Sequence, residues 1–249
     1  MIIVDAVWEK RNLGLDVVEI QIDPKSSLIE LEKIKDLVDC NYISVKVPVA
    51  RPELLSFLNE QGFKFVEMLT KVAVAELPQL TGMRARLAKG FSDRKVNRCD
   101  RREIKNQILN GMFSTDRFSL DRQFSAEQAA KRYLGWIQDV EDNGGDLRAL
   151  VHKNICVGFF IVTQKKNGIY DSVLAGLFPN LAPLGSGFII NHQAYLYCFE
   201  RGAKQVHTTY SSNNYGAAGI HSELSTRLIS QEYVYVKHNV VKGAKSYEQ

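Results

Sequence analysis

The chain has 249 residues, of which 45% are hydrophobic and 24% are charged, and its formal net charge is +4. This composition is that of a globular protein with one large or two smaller domains, and the charge is too small to indicate nucleic-acid binding. The most apolar window, from Val173 to Ile190, contains two prolines and three glycines, which exclude a plain membrane-spanning helix. We therefore expect neither a nucleic-acid partner nor a membrane partner.

The cysteines and the first residues both bear on the cellular compartment. The opening sequence MIIVDAVWEKRN shows no basic segment followed by an apolar one, so we expect no signal peptide. The four cysteines form no CxxC pair, which is typical of reduced thiols and predicts a cytoplasmic location. They are Cys40, Cys99, Cys156 and Cys198.

The first 83 residues alternate between strand and helix patterns. Ser27 and Glu30 have the spacing of a capping box at a helix start. YISVKVPV alternates like a strand, and a short helix is predicted between Pro52 and Gly62. The run FKFVEMLTKVAVAEL predicts one long strand or a hairpin. We expect an N-terminal accessory α/β domain over residues 1–83.

Residues 84–105 differ in composition from the segments on either side. They carry nine lysines and arginines against three acidic residues, a local charge of +6. With few large apolar residues, the segment is interpreted as a basic linker that borders two domains. Such a run is usually a solvated surface, but it can also hold phosphate groups by charge-assisted hydrogen bonds. RNA binding is the weakest alternative, because Phe91 is its only aromatic residue.

A second domain is predicted over residues 106–249. Ser125 and Gln128 form another capping-box pattern, ahead of a helix with one apolar face. ICVGFFIVTQKKNGIYDSVLAGLF predicts a hairpin that turns at KKNG. A loop rich in proline and glycine follows, then a helix to about residue 201, the strand KQVHTTYSS, a helix that starts at Asn214 and the final strand QEYVYVKHN.

The order of these elements resembles that of the GNAT acyl-CoA N-acyltransferases. The phosphate loop of that family follows a strand and reads Gln/Arg-x-x-Gly-x-Gly/Ala, and APLGSG places Gly185 and Gly187 at its two glycine positions. Leu177 and Pro179 match the valine and proline that precede the loop, whereas Ala182 stands where glutamine or arginine is usual. The resemblance implies a mixed α/β sheet with the GNAT fold behind the accessory domain.

The resemblance also implies the donor substrate, acetyl-CoA or another short acyl-CoA. A lone GxG is more often a simple turn, but N–H groups at a helix start, together with the helix dipole, suit a pyrophosphate. Backbone N–H groups near the end of the preceding strand are expected to polarise the thioester carbonyl. The expected cofactor-binding residues are Leu177, Phe178, Leu184, Gly185, Ser186, Gly187 and Asn214.

The expected catalytic residues are His221 and Asp171. The family pattern Asn-x-x-Ala-x-x-x-Tyr is present as NYGAAGIH, which puts His221 where the tyrosine would be. Since imidazole titrates near neutrality, His221 is expected to protonate the leaving thiolate, with a structural role as the alternative. Asp171 is the expected base, directly or through water, although a solvated turn residue is commoner. His207 is a weaker candidate, and Asn214 either contacts the cofactor or caps its helix.

The acceptor is inferred from two further segments. STDRFSLDRQFSAEQAAKRYLGWIQD is similar to the first helices of GNAT enzymes that acylate nucleotide-linked amino sugars, and LLSFLNEQGFKFVEM is similar to the accessory domain of the dTDP-fucosamine type. The resemblance implies a dTDP-linked deoxyamino sugar as acceptor, in the synthesis of cell-surface polysaccharide such as the O-antigen of lipopolysaccharide. Arg84, Arg86 and Arg117 are the expected substrate-binding residues, and the basic segment could instead hold the 3′-phosphate of CoA.

Two other functions stay open. One is a GNAT enzyme that acylates a protein or a small-molecule amine, and the other is a non-catalytic module that binds CoA or a nucleotide. No metal site and no covalent enzyme intermediate are expected, since the sequence has no metal-ligand cluster and no Cys/His signature. A homodimer is compatible with the resemblance.

Overall fold

The structure is a computed structural model that describes residues 1–37, 40–183, 185–224 and 226–239. The chain forms two compact units. Unit 1 comprises Met1–Leu69 with the residues from Ser230 onward, and unit 2 comprises Thr70–Ile229. The compact units thus divide the chain near residues 69 and 229, whereas the sequence predicts domain boundaries near residues 83 and 105.

Unit 1 contains a mixed sheet with short helices. Its strands are β1 (Ile2–Asp5), β2 (Val17–Gln21), β3 (Tyr42–Pro48), the first part of β4 (Lys64–Val74) and most of β10 (Arg227–His238). Its helices are α1 (Val7–Leu13), α2 (Leu28–Leu31) and α3 (Pro52–Glu60), with a 3₁₀ helix at Glu32–Asp36. β2 pairs with β1 in antiparallel and with β3 in parallel orientation, and β10 runs antiparallel to β3.

The local signals read from the first part of the sequence are present in unit 1. Ser27 and Glu30 exchange both hydrogen bonds of a capping box at the start of α2. Pro52 is the first residue of α3, and β4 is one continuous strand rather than a hairpin. The core of the unit buries aliphatic residues of β2 and β3 against α2 and α3, including Ile20, Val45 and Leu58.

Unit 2 also contains mixed sheet structure. After the end of β4 its strands are β5 (Phe91–Lys95), β6 (Asp146–His152), β7 (Ile155–Gln164), β8 (Ile169–Leu177) and β9 (Gln205–Ser211). Its helices are α4 (Gly82–Ala88), α5 (Arg98–Leu109), α6 (Ala126–Asp142), α7 (Ser186–Phe199) and α8 (Tyr215–Glu223), with a 3₁₀ helix at Lys166–Gly168. β5 to β8 are antiparallel neighbours in chain order, and β9 runs parallel to β8.

Helices cover both faces of this sheet. On one face, α5 and α6 bury residues such as Ile104 and Tyr133 against Phe159 of β7. On the other face, α7 buries residues such as Ile189 and Ala194 against strands β6 to β9. The predicted mixed α/β architecture is confirmed. No helix in the described ranges is both long and apolar enough to cross a bilayer.

The basic segment 84–105 is folded into unit 2. It contains most of α4, all of β5 and the first part of α5. Asn97 caps α5 in a capping box with Asp100, and that carboxylate also forms an ion pair with Arg94. The charged side chains of this segment are therefore fixed on regular structure, which a linker would not provide.

Candidate active site

The strands β8 and β9 separate toward their carboxyl ends. Their registered pairs run from Ile169 with Gln205 to Ser172 with Thr208, although both strands continue further. The register of β8 against β7 shifts at the same level, between the pairs Ile161–Leu174 and Val162–Ser172. The extra residue on β8 is a β-bulge, which bends the strand. Beyond Ser172 and Thr208 the two strands are no longer registered with each other, and this unpaired interval at their carboxyl ends is called the opening below.

The glycine-rich loop leads from this edge into α7. Gly185 is the N-cap residue of α7 and has φ = +83°, a left-handed conformation that disfavours any residue with a Cβ atom. Leu184, an expected contact of the cofactor, lies outside the described residues. The loop thus places the start of a 14-residue helix beside the opening between β8 and β9.

The backbone N–H groups of this loop differ in whether they are already hydrogen-bonded within the protein. The N–H of Ser186 lies 3.2 Å from the carbonyl oxygen of Pro183, and its hydroxyl donates to the same oxygen at 2.6 Å. The N–H of Ala182 donates to Phe178 at 3.0 Å. Gly187 and Phe188 follow in the first helical turn, where N–H groups have no acceptor within the helix. By their position at the helix start, the N–H groups of Gly187 and Phe188 are the expected phosphate contacts, while Ser186 stabilises the turn.

Gly187 also has a packing role that the sequence does not reveal. A Cβ atom at this position would lie 3.1 Å from Cδ1 of Ile220 on α8. The glycine therefore permits close contact between α7 and α8. The sequence accounts for Gly187 through approach to a phosphate, and the structure adds this contact between helices.

At the end of β8, just before the loop, Phe178 uses its backbone N–H and its side chain in contacts within the protein core. The N–H of Phe178 donates to the carbonyl oxygen of Val157 at 2.9 Å, and the Phe178 ring is fully buried beneath α5 and α6. This N–H group is therefore not available to polarise a thioester carbonyl, which is the role that the sequence predicted for it. Leu177 is the last residue of β8 and lies on the separated part of the strand.

His221 lies on α8 and is enclosed by two tyrosines. Its ring stacks on that of Tyr210 with a centroid distance of 5.1 Å, and its Nδ1 lies 3.2 Å from the hydroxyl of Tyr195. The side chain is almost completely buried, and this burial lowers the pKa of His221 to about 4. Burial also raises the pKa of Tyr195, which keeps its hydroxyl protonated. His221 is therefore neutral near pH 7 and carries no proton ready for a leaving thiolate.

Asp171 lies on β8 opposite His207 of β9. The two residues are registered partners in the parallel pair, and Nδ1 of His207 is 4.0 Å from Oδ1 of Asp171. Lys165 also faces this carboxylate at 3.8 Å. Asp171 is thus a half-buried member of a charged cluster rather than a solvated turn residue.

Asn214 caps α8 as its residue type suggests. Its Oδ1 accepts a hydrogen bond from the N–H of Ala217 at 3.0 Å. This oxygen is consequently hydrogen-bonded within the helix start. Any contact of Asn214 with a cofactor would therefore have to use its side-chain NH₂ group or its backbone.

Comparison of the whole chain with solved structures places this geometry in a known fold. The GCN5-related N-acetyltransferase from Sphaerobacter thermophilus is similar, with a TM-score of 0.61 and 12% identity over 95% of this chain and 75% of that chain. The GCN5-related N-acetyltransferase from Kribbella flavida has a TM-score of 0.55 and 17% identity over 89% and 81% of the two chains. The fold is that of the GCN5-related N-acetyltransferases.

A third GNAT structure is similar over most of this chain. A tandem GNAT protein from the clavulanic acid biosynthesis pathway has a TM-score of 0.52 and 9% identity, over 92% of this chain and 76% of that chain. The sequence comparisons add nothing to this, since no family model and no curated protein matches the chain. The GNAT fold expected from the sequence is confirmed by structure alone.

The arginines expected to bind the nucleotide sugar lie in two separate segments. Arg84, on α4, forms an ion pair with Glu223, and its guanidinium lies 4.3 Å from the ring centroid of Phe188 in the first turn of α7. Leu87, also on α4, lies 3.4 Å from the position of a Cβ atom on Gly185. Helix α4, which also carries the exposed Arg86, therefore packs beside the glycine loop.

Arg117 belongs to the connection between α5 and α6. Its guanidinium lies 4.8 Å from the ring centroid of Phe118, which is buried. The same connection covers the end of β8, because a Cβ atom on Gly176 would collide with Met112 and Phe113. Arg117 is thus on the segment next to the α5–α6 face, whereas Arg84 and Arg86 are next to the glycine loop.

A cavity of about 740 Å³ lies within unit 2 beside α7. The segment 73–81 forms much of its wall, and its charged and amide side chains include Glu76, Arg84, Gln205, Glu223 and Arg227. A volume of this size is typical of small-molecule sites. The sequence gives no sign of this cavity or of the pairing of Asp171 with His207, because both depend on strand register. No group of three potential metal ligands occurs in the part of the chain that is described.

Proposed function

We propose that this protein transfers a short acyl group, most simply acetyl, from acyl-CoA to an amine. The observation that supports this most is the opening between β8 and β9 immediately beside the glycine loop. The bulge at the start of the opening, the exposed and left-handed Gly185 and the first turn of α7 occur together at one edge of a GNAT-fold sheet.

The donor is proposed to bind along this edge. Its pyrophosphate would accept hydrogen bonds from the N–H groups of Gly187 and Phe188, where the helix dipole favours negative charge. Arg84 and Arg86 on the neighbouring α4 would supply charge for the phosphates. The separated end of β8, which finishes at Leu177, would offer its backbone to the pantetheine arm, and Asn214 at the start of α8 would adjoin it.

The reaction is proposed as direct attack without a covalent enzyme intermediate. The amine nitrogen bonds to the thioester carbon, the C–S bond breaks, and the nitrogen loses a proton to Asp171 directly or through water. We assign His221 a structural role, since its neutral ring stacks on Tyr210 and is hydrogen-bonded to Tyr195. In this proposal the thiolate takes its proton from the medium or from the amine.

The proposed acceptor is a dTDP-linked deoxyamino sugar used for cell-surface polysaccharide. This choice is supported by the resemblance of the segments 114–139 and 54–68 to nucleotide-sugar N-acyltransferases. Arg117, on the segment next to the α5–α6 face, is proposed to bind the nucleotide diphosphate. All four cysteines are free thiols, which fits a cytoplasmic reaction. A homodimer is the proposed assembly by the same resemblance.

Calorimetry with acetyl-CoA, followed by CoA release with an acceptor panel, tests this function. The panel contains dTDP-amino sugars that differ in epimer and amine position, with dTDP, dTDP-glucose, the free amino sugars and a lysine peptide as controls. We expect acetyl-CoA to bind and only a dTDP-amino sugar to accept the acyl group. Turnover with the peptide or free sugar alone would overturn the acceptor, and binding without turnover would favour a non-catalytic module. Failure of acetyl-CoA to bind would contradict the whole proposal.

A further inference from the structure

The Asp171–His207 pair lies on the face of the sheet that carries α5 and α6. Along β9, Val206 is buried in the core against α7, so the neighbouring His207 points to the opposite face. On β8, Tyr170 is buried in the core against α7, so the neighbouring Asp171 also points to the opposite face. The strands separate beyond Ser172 and Thr208, so the pair is about 6.6 Å, or two strand residues, from the opening.

The hydrogen bonding of His207 leaves one ring nitrogen facing the carboxylate. Its Nε2 lies 3.1 Å from Oε1 of Gln205, two residues earlier on the same face. Because the amide oxygen is an acceptor, Nε2 carries the hydrogen and Nδ1 keeps its lone pair. Nδ1 and Oδ1 of Asp171 are then two acceptors 4.0 Å apart, too distant for a direct hydrogen bond. A single N–H donor group placed between them can reach both.

The charges around the pair keep the imidazole neutral. Burial lowers the pKa of His207, and Lys71 of β4 and Arg227 of β10 lower it further, while Asp171 raises it. Lys165 faces the other side of Asp171 at 3.8 Å. The side chain of His207 is 12% exposed and that of Asp171 is 28% exposed, so both retain some contact with solvent. An imidazole with a lowered pKa beside a carboxylate has the properties of a proton acceptor.

We propose that Asp171 and His207 together hold the amino group of the acceptor, and that Nδ1 of His207 takes its proton. The inference rests on the proposed acyl transfer and refines it. His207 replaces Asp171 as the first proton acceptor and replaces the medium as the proton donor to the thiolate, and the acceptor is a primary amine that arrives as an ammonium ion. His207 takes one proton from the ammonium, and the nitrogen lone pair then forms the C–N bond. The C–S bond breaks with its electron pair left on sulfur. The imidazolium protonates the thiolate, and the remaining excess proton leaves through Asp171 to solvent.

Binding of a simple ammonium ion tests the pair without any turnover. Ethylammonium chloride is titrated into protein with isotope-labelled histidine, with sodium chloride at equal ionic strength as control. The His207 ring signals should shift saturably, the shift should vanish in Asp171→Asn, and the buried His221 should not respond. No shift beyond the salt control, or an equal shift in Asp171→Asn, would overturn the proposal.

Chemical rescue tests the proton transfer itself. With acetyl-CoA and the dTDP-amino sugar that the wild type acylates in the panel, His207→Ala should lower the rate of CoA release about 100-fold. Added imidazole should restore part of that rate, while acetyl-CoA affinity stays unchanged. His152→Ala, a histidine on β6, is the matched control and should keep the wild-type rate. An unchanged rate in His207→Ala, or a loss that imidazole does not restore, would contradict the role of His207.

The two proposals can fail separately. If the wild type does not bind acetyl-CoA, the acyl-transfer function is wrong, and the ammonium titration still reports on the pair. If it binds acetyl-CoA but acylates no amine of the panel, the ammonium titration alone decides whether the pair holds an amine.

Discussion

His221 and His207 of unit 2 lie on opposite sides of the β8–β9 pair, and their surroundings differ. His221, on the α7 side, is stacked on Tyr210, hydrogen-bonded to Tyr195 and 3% exposed. His207, on the α5–α6 side, faces Asp171 across the strands and remains partly accessible. Both have lowered pKa values, and burial is the largest cause for each. Of the two, only His207 has a carboxylate partner and access for a substrate.

The difference shows that proton transfer depends on access as well as on residue type. A buried histidine without a charged partner is held neutral by desolvation, and its hydrogen bonds stabilise the fold. A neutral histidine beside a carboxylate, near the opening of two strands, can exchange a proton with a ligand. The first four predictions below test the His221 side and the glycine loop next to it.

The largest expected effect concerns the pH dependence of stability at His221. Because its folded pKa is about 4 and the ordinary value is 6.5, stability from this group is present above pH 6.5 and is lost as pH falls toward 4. The full change corresponds to about 3 kcal/mol. In His221→Phe this dependence should be absent, so the difference in unfolding free energy between variant and wild type should shrink between pH 7 and pH 4.

Denaturant unfolding at several pH values measures that difference, and groups common to both proteins cancel. At pH 7 the variant should be less stable by about 1–3 kcal/mol, because the buried Tyr195 hydroxyl loses its partner. Tyr195→Phe combined with His221→Phe should recover part of this loss. Acyl-transfer rates should stay within a few-fold of wild type. A difference in unfolding free energy that does not change with pH, or a 100-fold loss of the acyl-transfer rate, would instead support His221 as the general acid.

The next effect concerns the left-handed Gly185. Gly185→Val forces a β-branched residue to φ = +83°, which costs about 1–2 kcal/mol or drives the loop into another conformation. Acetyl-CoA affinity should fall about tenfold, as calorimetry can measure. Gly202→Val is the matched control, since it has φ = +81° and lies beyond the far end of α7. Equal loss of affinity in both variants would show general destabilisation rather than a cofactor loop.

A smaller effect should separate the arginines. Arg84→Gln, and to a lesser degree Arg86→Gln, should weaken acetyl-CoA binding a few-fold, because α4 packs beside the glycine loop. The loss should be greater at low salt, where screening is least. Arg117→Gln should leave acetyl-CoA affinity unchanged and weaken the binding of the sugar nucleotide. If Arg84→Gln weakened the binding of the sugar nucleotide and Arg117→Gln weakened that of acetyl-CoA, the nucleotide sugar rather than CoA would lie beside α4.

The smallest effect concerns the contact between Gly187 and Ile220. Gly187→Ala gains up to about 1 kcal/mol in helix propensity but brings a Cβ atom to 3.1 Å from Cδ1 of Ile220. Ile220→Val removes that atom. The alanine should therefore stabilise the protein more in the Ile220→Val background than in the wild type. Equal effects in both backgrounds, measured by thermal unfolding, would show that the two helices do not constrain each other here.

Much of the local structure follows from short-range signals. The capping boxes at Ser27 and Ser125 and the cap at Asn214 are present, because each depends only on residues a few positions apart. The order of strands and helices in unit 2 also led to the GNAT fold, which the solved structures confirm. These features were predictable because they depend on periodicity and on spacing along the chain.

The properties of the site depend on three-dimensional contacts that spacing does not encode. The burial of His221 requires the tyrosines of α7 and β9. The partner of Asp171 is fixed by the register of β8 with β9, a strand that follows α7 in the chain. Ser186 and Phe178 have the expected positions, but their donors are engaged by Pro183 and Val157. The positive charge of segment 84–105 could be counted from the sequence, whereas its folding into α4, β5 and α5 could not be predicted from it.

Amide hydrogen exchange with and without acetyl-CoA tests the central claim, that the opening between β8 and β9 is the acyl-CoA site. The account predicts slower exchange at those residues of 173–177 whose N–H groups point away from β7, and at Gly187 and Phe188. Residues 170–172 should change little, because they are paired with both β7 and β9. Protection confined to the cavity wall at 73–81, or no protection in unit 2, would contradict the account.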